Sequence, residues 1–227
     1  GTRGELPSHP ELLDYLAQRL LQSEGSLKTL HRELVLMRSY RLASIDDPEN
    51  LEADPRNRWL WRRSRKPLDA ESIRDGMLAT SGDLNRAMPG AHPFPPTESW
   101  GFTIHYPFSA HYDSAHRSVY LMVQRARKHP YLSLFDGADP NLSTSERLAT
   151  TTPTQALYLM NDPFVHARAE SLAKRALREQ TDETERVRWL TELVTGRELS
   201  ASEAASAHEF VSRYRDAFRT RMASGMV

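Results

Sequence analysis

Cysteine is absent from this 227-residue chain. Its absence excludes disulfides, thiolate zinc sites, a thiol nucleophile and covalent haem attachment through C-x-x-C-H. An excess of either charge is lacking too, since 30 Lys and Arg balance 30 Asp and Glu to a net +0. No global field therefore draws the chain to nucleic acid or an anionic membrane, so nucleic acid is disfavoured as a partner and any such binding must be local. No apolar run approaches the roughly 18 residues of a membrane span, so the chain is not expected to cross a membrane. The nucleophile elbow G-x-S-x-G, the phosphate loop G-x-x-x-x-G-K and the dinucleotide fingerprint G-x-G-x-x-G are all missing. The chain opens at Gly1 with neither an initiator methionine nor a signal-peptide pattern, and is expected to be a piece of a longer protein.

What is present is helical patterning. Ser8 and Glu11 have capping-box spacing ahead of Leu12, Leu13, Leu16 and Leu20, which predicts a helix from about Ser8 to Ser23, ended by Gly25. Ser26 can cap a second helix striped by Leu27, Leu30, Leu34 and Met37, packed antiparallel on the first. Residues 45–55, with Asp46-Asp47-Pro48 and Asp54-Pro55, read as turns. Asp69 can cap a third helix running to about Leu84, with Leu68 and Ile73 placed for a hydrophobic staple.

The helical period fades in residues 89–116, an irregular insertion rich in proline and aromatics. Phe102, Ile104 and Tyr106 alternate as in a strand, and residues 118–124 (SVYLMVQ) are a second strand candidate, so a small antiparallel ribbon is expected. Helices return with Pro153 to Met160, then one capped by Asp162 with Pro163 in its first turn, then one striped by Val187, Leu190 and Val194 and closed by Gly196. Ser200 and Glu203 form another capping box before a last helix with Ala207, Phe210, Tyr214 and Phe218 inward. The expected fold is mainly α: one irregular helical domain over residues 1–227 with a minor β ribbon and the insertion at 89–116.

The chemistry is concentrated at one junction. Arg56 to Lys66 (RNRWLWRRSRK) holds six cations and two tryptophans without an acid, and abuts a helix whose first turns carry Asp69, Glu71 and Asp75. Arginines beside Trp59 and Trp61 are suited to an anion-binding surface. They are equally suited to an internal clasp in which Arg58 and Arg62 meet Asp69, Glu71 or Asp75. Glu71 and Asp75 share one helix face, as an acid and base pair would, but acids also favour a helix N-terminus in their own right. Among nine histidines, His92, His105, His111, His116 and His129 lie in or near the insertion, with Asp113 as a candidate carboxylate, yet none shows H-x-x-x-H or H-E-x-x-H spacing and no metal site is expected. In residues 147–161 (RLATTTPTQALYLMN), threonine capping and Gln155 are expected to set the start of a helix.

The blocks SHPELLDYLAQRL, SLKTLHRELV, NRWLWRRSRKPLDAESIRDGMLATSGDL, RSVYL, LFDGADPN and TSERLATTTPTQALYLMNDPFV occur in that order. Together they resemble the planctomycete C-terminal domain of unknown function numbered fifteen-fifty-three, over nearly the whole chain. The resemblance implies no activity. It implies an exported multidomain protein, periplasmic or at the cell surface, in which other domains of the same polypeptide are the partners, a cytochrome c-like domain among them. The cysteine-free chain itself is expected to carry no cofactor, and any haem sits in a separate domain. The family's recurrent polar positions fall on His9, Asp14, His31, Arg41, Asn57, Arg58, Arg62, Glu71, Arg74, Asp75, Asp136, Asp139, Arg147, Thr151, Gln155 and Asn161. Glu24-Gly25 stands where the family commonly has Gly-Trp, and Met37-Arg38 where it has small residues.

Two functional readings follow. In the first, the chain is a non-catalytic structural or docking module, with Arg58, Trp61, Arg62, Arg74, Arg147 and Gln155 as binding or tethering residues. In the second, it is a carbohydrate-processing, hydrolase-like domain that uses Glu71 and Asp75, with His31 or Asp14 nearby, beside Trp59 or Trp61.

Overall fold

The computed structural model describes residues 6–92, 96–101, 103–106, 108, 114–125, 128–143 and 147–223. Phe102, His111 and Asp113 lie outside them. The described chain is mainly helical and divides into two compact units, Gly1–Pro67 and Leu68–Val227. No composition shift marks that boundary.

The first unit holds α1 (Pro10–Gln22), α2 (Leu27–Leu36), a 3-10 turn at Ser39–Arg41 and α3 (Pro48–Ala53). The capping box expected of Ser8 does not form, because His9 is the N-cap and Ser8 Oγ lies against His9 Nδ1 at 3.0 Å. Pro10 starts the helix instead, its fixed φ suiting the first turn and its missing N–H costing nothing there. Left-handed Glu24 and Gly25 end α1, with the Gly25 amide donating to Leu20 O at 2.9 Å. Ser26 then caps α2 by accepting from the Thr29 amide at 3.3 Å. An Arg19 and Glu33 ion pair ties α1 to α2, with Arg19 Nε donating at 3.0 Å. Where turns were expected, Asp47 accepts from the Asn50 amide at 2.9 Å and Pro48 opens α3. Asp-Pro here is an N-cap followed by its preferred first residue rather than a bend.

The second unit holds α4 (Ala70–Ser81), α5 (Pro130–Leu134), α6 (Pro153–Asn161), α7 (Pro163–Glu179), α8 (Glu183–Thr195) and α9 (Ala201–Ala223). The expected caps form at Asp69, Thr152 with Gln155, Asp162, and Ser200 with Glu203. α4 stops at Ser81, short of the expected Leu84, because Gly82 turns left-handed (φ 84°) and the Asp83 amide returns to Leu78 O at 2.9 Å. Arg175 of α7 donates to the exposed carbonyls of Ala79 and Thr80 at 3.2 and 2.8 Å, and Arg168 pairs with Asp83 at 2.7 Å. α7 thus satisfies the C-terminal carbonyls of α4 while the two helices pack. Leu78 is 1% and Ala176 0% exposed.

A second layer of packing joins Ala70 to Leu121, Tyr131, Leu132 and Phe135, with Tyr158 alongside. The Tyr131, Phe135 and Tyr158 rings lie 4.9 to 5.6 Å apart, and Tyr131 donates its hydroxyl to Ala70 O at 2.8 Å. Burial pushes the Tyr131 phenol well above its ordinary value and Tyr158 up to about 12.

The β ribbon does not form among the described residues. Ser118–Tyr120 is a 3-10 turn, and the Thr103 amide donates to Tyr106 O at 2.9 Å, closing a bend through Ile104. Among the described residues, an isolated parallel bridge links Asn85 and His116. The inward stripe expected of α9 also fails, since Phe210, Tyr214 and Phe218 are 62%, 67% and 56% exposed. Glu183, the first residue of α8, pairs with Arg215 at 2.8 Å, so Phe218 lies beyond that end of α8, whereas Phe210 and Tyr214 precede Arg215 and lie on a face of α9 that α8 leaves uncovered.

Candidate functional site

The cationic segment forms neither helix nor strand. It is wrapped around two buried side chains, Asp54 and Asn57. Asp54 Oδ2 accepts from the Trp59 amide at 2.8 Å and its carbonyl from Trp61 Nε1 at 3.0 Å. The Trp59 amide is the main cause that holds the Asp54 carboxyl below its ordinary value. Asn57 Nδ2 donates to Arg62 O (2.8 Å) and Ser64 Oγ (3.0 Å), and its Oδ1 accepts from the Arg62 amide (3.2 Å). That one side chain serves two backbone groups that have no strand to pair with. Asn57 and Leu60 are both left-handed, at φ 51° and 55°. The conformation is tolerable for asparagine but costs a leucine about 1 kcal/mol or more.

With the backbone held this way, the cations separate. Arg62 Nε lies 3.0 Å from Asp46 Oδ1 with its guanidinium over the Trp61 ring. Arg65 donates twice to Ser44 O, at 3.0 and 2.8 Å, and reaches Asp46 at 3.4 Å. Arg63 instead lies over the Tyr40 ring, 3.9 Å from its centre. Arg63 and Lys66 have no carboxylate partner among the described residues. With Arg62 they line a cleft of about 340 Å³ whose apolar residues include Leu12, Leu34, Met37 and Leu60. Arg58 borders a smaller hollow of about 200 Å³ with Ser8, His9 and Trp59, the His9 and Trp59 rings meeting edge on at 6.0 Å.

In the second unit, α4 projects Glu71, Arg74 and Asp75 toward loops. Glu71 pairs with Arg147 at 2.5 Å. Asp75 Oδ1 accepts from both the amide and the hydroxyl of Ser118, each at 2.7 Å. Arg74 is buried, donating to Ser114 O, His116 O (3.2 Å) and Ser118 Oγ (3.3 Å), with its guanidinium 5.2 Å from the Phe164 ring centre. These bonds hold Ser118 in its 3-10 turn, which is why SVYLMVQ is not a strand despite its β-branched pattern. Within the first unit Arg62 pairs with Asp46, and within the second Glu71 pairs with Arg147.

The blocks LFDGADPN and RLATTTPTQ form one joint. Asp136 is left-handed (φ 56°) at the end of α5, and the Gly137 amide donates back to Leu132 O at 2.6 Å. A Cβ on Gly137 would lie 2.7 Å from Leu132 O, so only glycine fits. Asp136 Oδ2 accepts from the Thr150 amide and hydroxyl, both at 2.7 Å, while Gln155 Nε2 donates to Leu134 O at 3.0 Å and Gln155 Oε1 accepts from the Thr152 amide at 3.0 Å. Asp139 pairs with Lys128 at 2.7 Å. Asp14 and His31 are exposed on α1 and α2, in the first unit, and Glu71 and Asp75 lie in the second.

Sequence reasoning overlooked Asp46, Asp54 and Ser118, the acceptors and donors that decide where the charges go, and Arg63, Lys66 and Tyr40 of the cleft. Asp54-Pro55-x-Asn57 carried the one available signal, two residues that favour Asx turns and left-handed backbone beside a proline. A comparison with curated proteins returned no match, and neither did one with solved structures. A family model does match, over residues 1–211, and the chain therefore belongs to PSD1, described as a protein of unknown function (DUF1553).

Proposed function

We propose that this chain is a non-catalytic helical module that docks other domains of its own polypeptide, within an exported, planctomycete-type protein that carries a cytochrome c-like domain elsewhere. The observation that supports docking is the uncovered stripe of α9, where Phe210, Tyr214, Phe218 and Met222 recur every fourth residue and stay exposed. The recurrent polar residues are spent on tethers: Glu71, Arg74, Asp75, Asp136, Arg147 and Gln155 each hold a loop or a helix start. The hydrolase-like alternative needs a carboxylate without a fixed partner, and Glu71 and Asp75 both have one.

Hydroxyl-radical footprinting of the full-length parent and of this chain alone tests the proposal. Docking predicts that Phe210, Tyr214, Phe218 and Met222 are protected several-fold in the parent. Equal oxidation in both removes the docking role. Haem absorbance of the parent tests the cytochrome context separately, and a parent without it removes that part only.

A further inference from the structure

We propose that the cleft of the first unit binds an anionic amphiphile, a small molecule with an apolar chain and one anionic head. Three features carry this, none of them shared with the α9 stripe. The lining is mixed in kind, with Leu12, Leu34, Met37 and Leu60 apolar and Arg62, Arg63 and Lys66 cationic. Of the cations in Arg56 to Lys66, Arg62 and Arg65 are engaged by Asp46, whereas Arg63 and Lys66 at the cleft have no acid partner among the described residues. Arg63 is moreover held in place by the Tyr40 ring beneath it, so its guanidinium is positioned without being neutralised.

The third feature is backbone strain. Leu60 is a leucine with φ 55°, its amide donating a hydrogen bond to Asn57 O at 3.3 Å, and it is one of the residues that line the cleft. Strain of this kind persists where the surroundings enforce it and gathers at ligand sites. At about 340 Å³ the cleft is near the small end of ligand pockets, which run from about 300 to 1,000 Å³, so the occupant is a short chain rather than a polymer. A guanidinium fork and an ammonium together recognise a carboxylate, sulfate or phosphate head. The apolar wall supplies the remaining affinity by area.

Titration calorimetry of the chain with decanoate and decyl sulfate, each below its micelle concentration, tests the proposal. Decanol and decyltrimethylammonium are the neutral and cationic comparators, and circular dichroism confirms that the helices persist. Saturable binding of an anion, at least about tenfold tighter than decanol, is expected. Octanoate should bind about 15-fold more weakly than decanoate, at about fourfold per methylene. The Arg63→Gln, Lys66→Gln double variant should lose the preference for anions and keep the affinity for decanol. Leu60→Gly, which relieves the backbone, should weaken every ligand. A preference for decanoate over decyl sulfate or the reverse identifies the head. Equal binding of all head groups, an unchanged decanoate affinity in the double variant, or no saturable binding overturns the inference.

Discussion

In the second unit, helices and loops close around the Tyr131, Phe135 and Tyr158 rings and the buried Leu78 and Ala176, whereas the buried residues described in the first are Asp54 and Asn57. Apolar burial is non-directional and scales with area, so it stabilises any arrangement of the right volume. A polar knot is directional, because each buried donor and acceptor has to find its partner or cost about 1 to 3 kcal/mol. The second unit therefore rests mainly on buried volume. The first instead imposes left-handed backbone at Asn57 and Leu60, and so fixes where its cations stand.

Removing volume from the second unit should have the largest effect. Leu78→Ala is expected to cost about 2 to 5 kcal/mol in urea unfolding, with hydrogen exchange speeding up in α4 and α7. A loss under about 1 kcal/mol would mean that the α4 and α7 contact is not the unit's main support. In the first unit, Asn57→Ala removes three hydrogen bonds and places a Cβ-only residue in left-handed backbone, for an expected cost of about 2 to 3 kcal/mol read as faster exchange of the amides in residues 54–66. Asn57→Gly keeps the conformation and should recover about 1 kcal/mol of this. Equal costs for the two would assign the knot to hydrogen bonding alone.

Alkaline pH should distinguish the units more gently. Tyr131 titrates higher in the folded than in the unfolded chain, so the folded state keeps a proton that the unfolded state loses above about pH 10. The second unit's stability should be full below that value and fall by up to about 1.4 kcal/mol per pH unit as pH rises toward the raised folded value. Tyr131→Phe should cost about 1 kcal/mol at neutral pH and flatten that decline, as followed by thermal unfolding from pH 8 to 11. The smallest effect is expected for Glu71→Gln. Its half-exposed pair with Arg147 should contribute at most about 1 kcal/mol and less in high salt, and a larger loss would make this pair a main tie of the joint.

Local signals were legible in the sequence. Ser26, Asp69, Thr152, Asp162 and Ser200 cap where expected because a cap reaches only two or three residues along the chain. Ser8 does not cap because His9 stands at the N-cap and Pro10, two residues on, starts α1. The stripe of α9 was read correctly as one face and wrongly as inward. Periodicity shows which side chains share a face but not whether a neighbour covers that face, and α8 leaves this one open. SVYLMVQ has the composition of a strand, and Asp75 and Arg74 hold it in another conformation from more than 40 residues away.

The sequence by itself determined the helical class, most helix starts, the glycine stops at Gly25 and Gly196, and the family to which the ordered blocks belong. Only the tertiary structure decided that Arg62 goes to Asp46, that Glu71 goes to Arg147, and that Arg63 and Lys66 are left beside an apolar cleft. The physical reason is range. Caps and periodicity act within a turn or two of helix, while the partner of a charge is whichever opposite group the fold brings within a few ångströms, and one turn such as that at Asn57 is enough to change it.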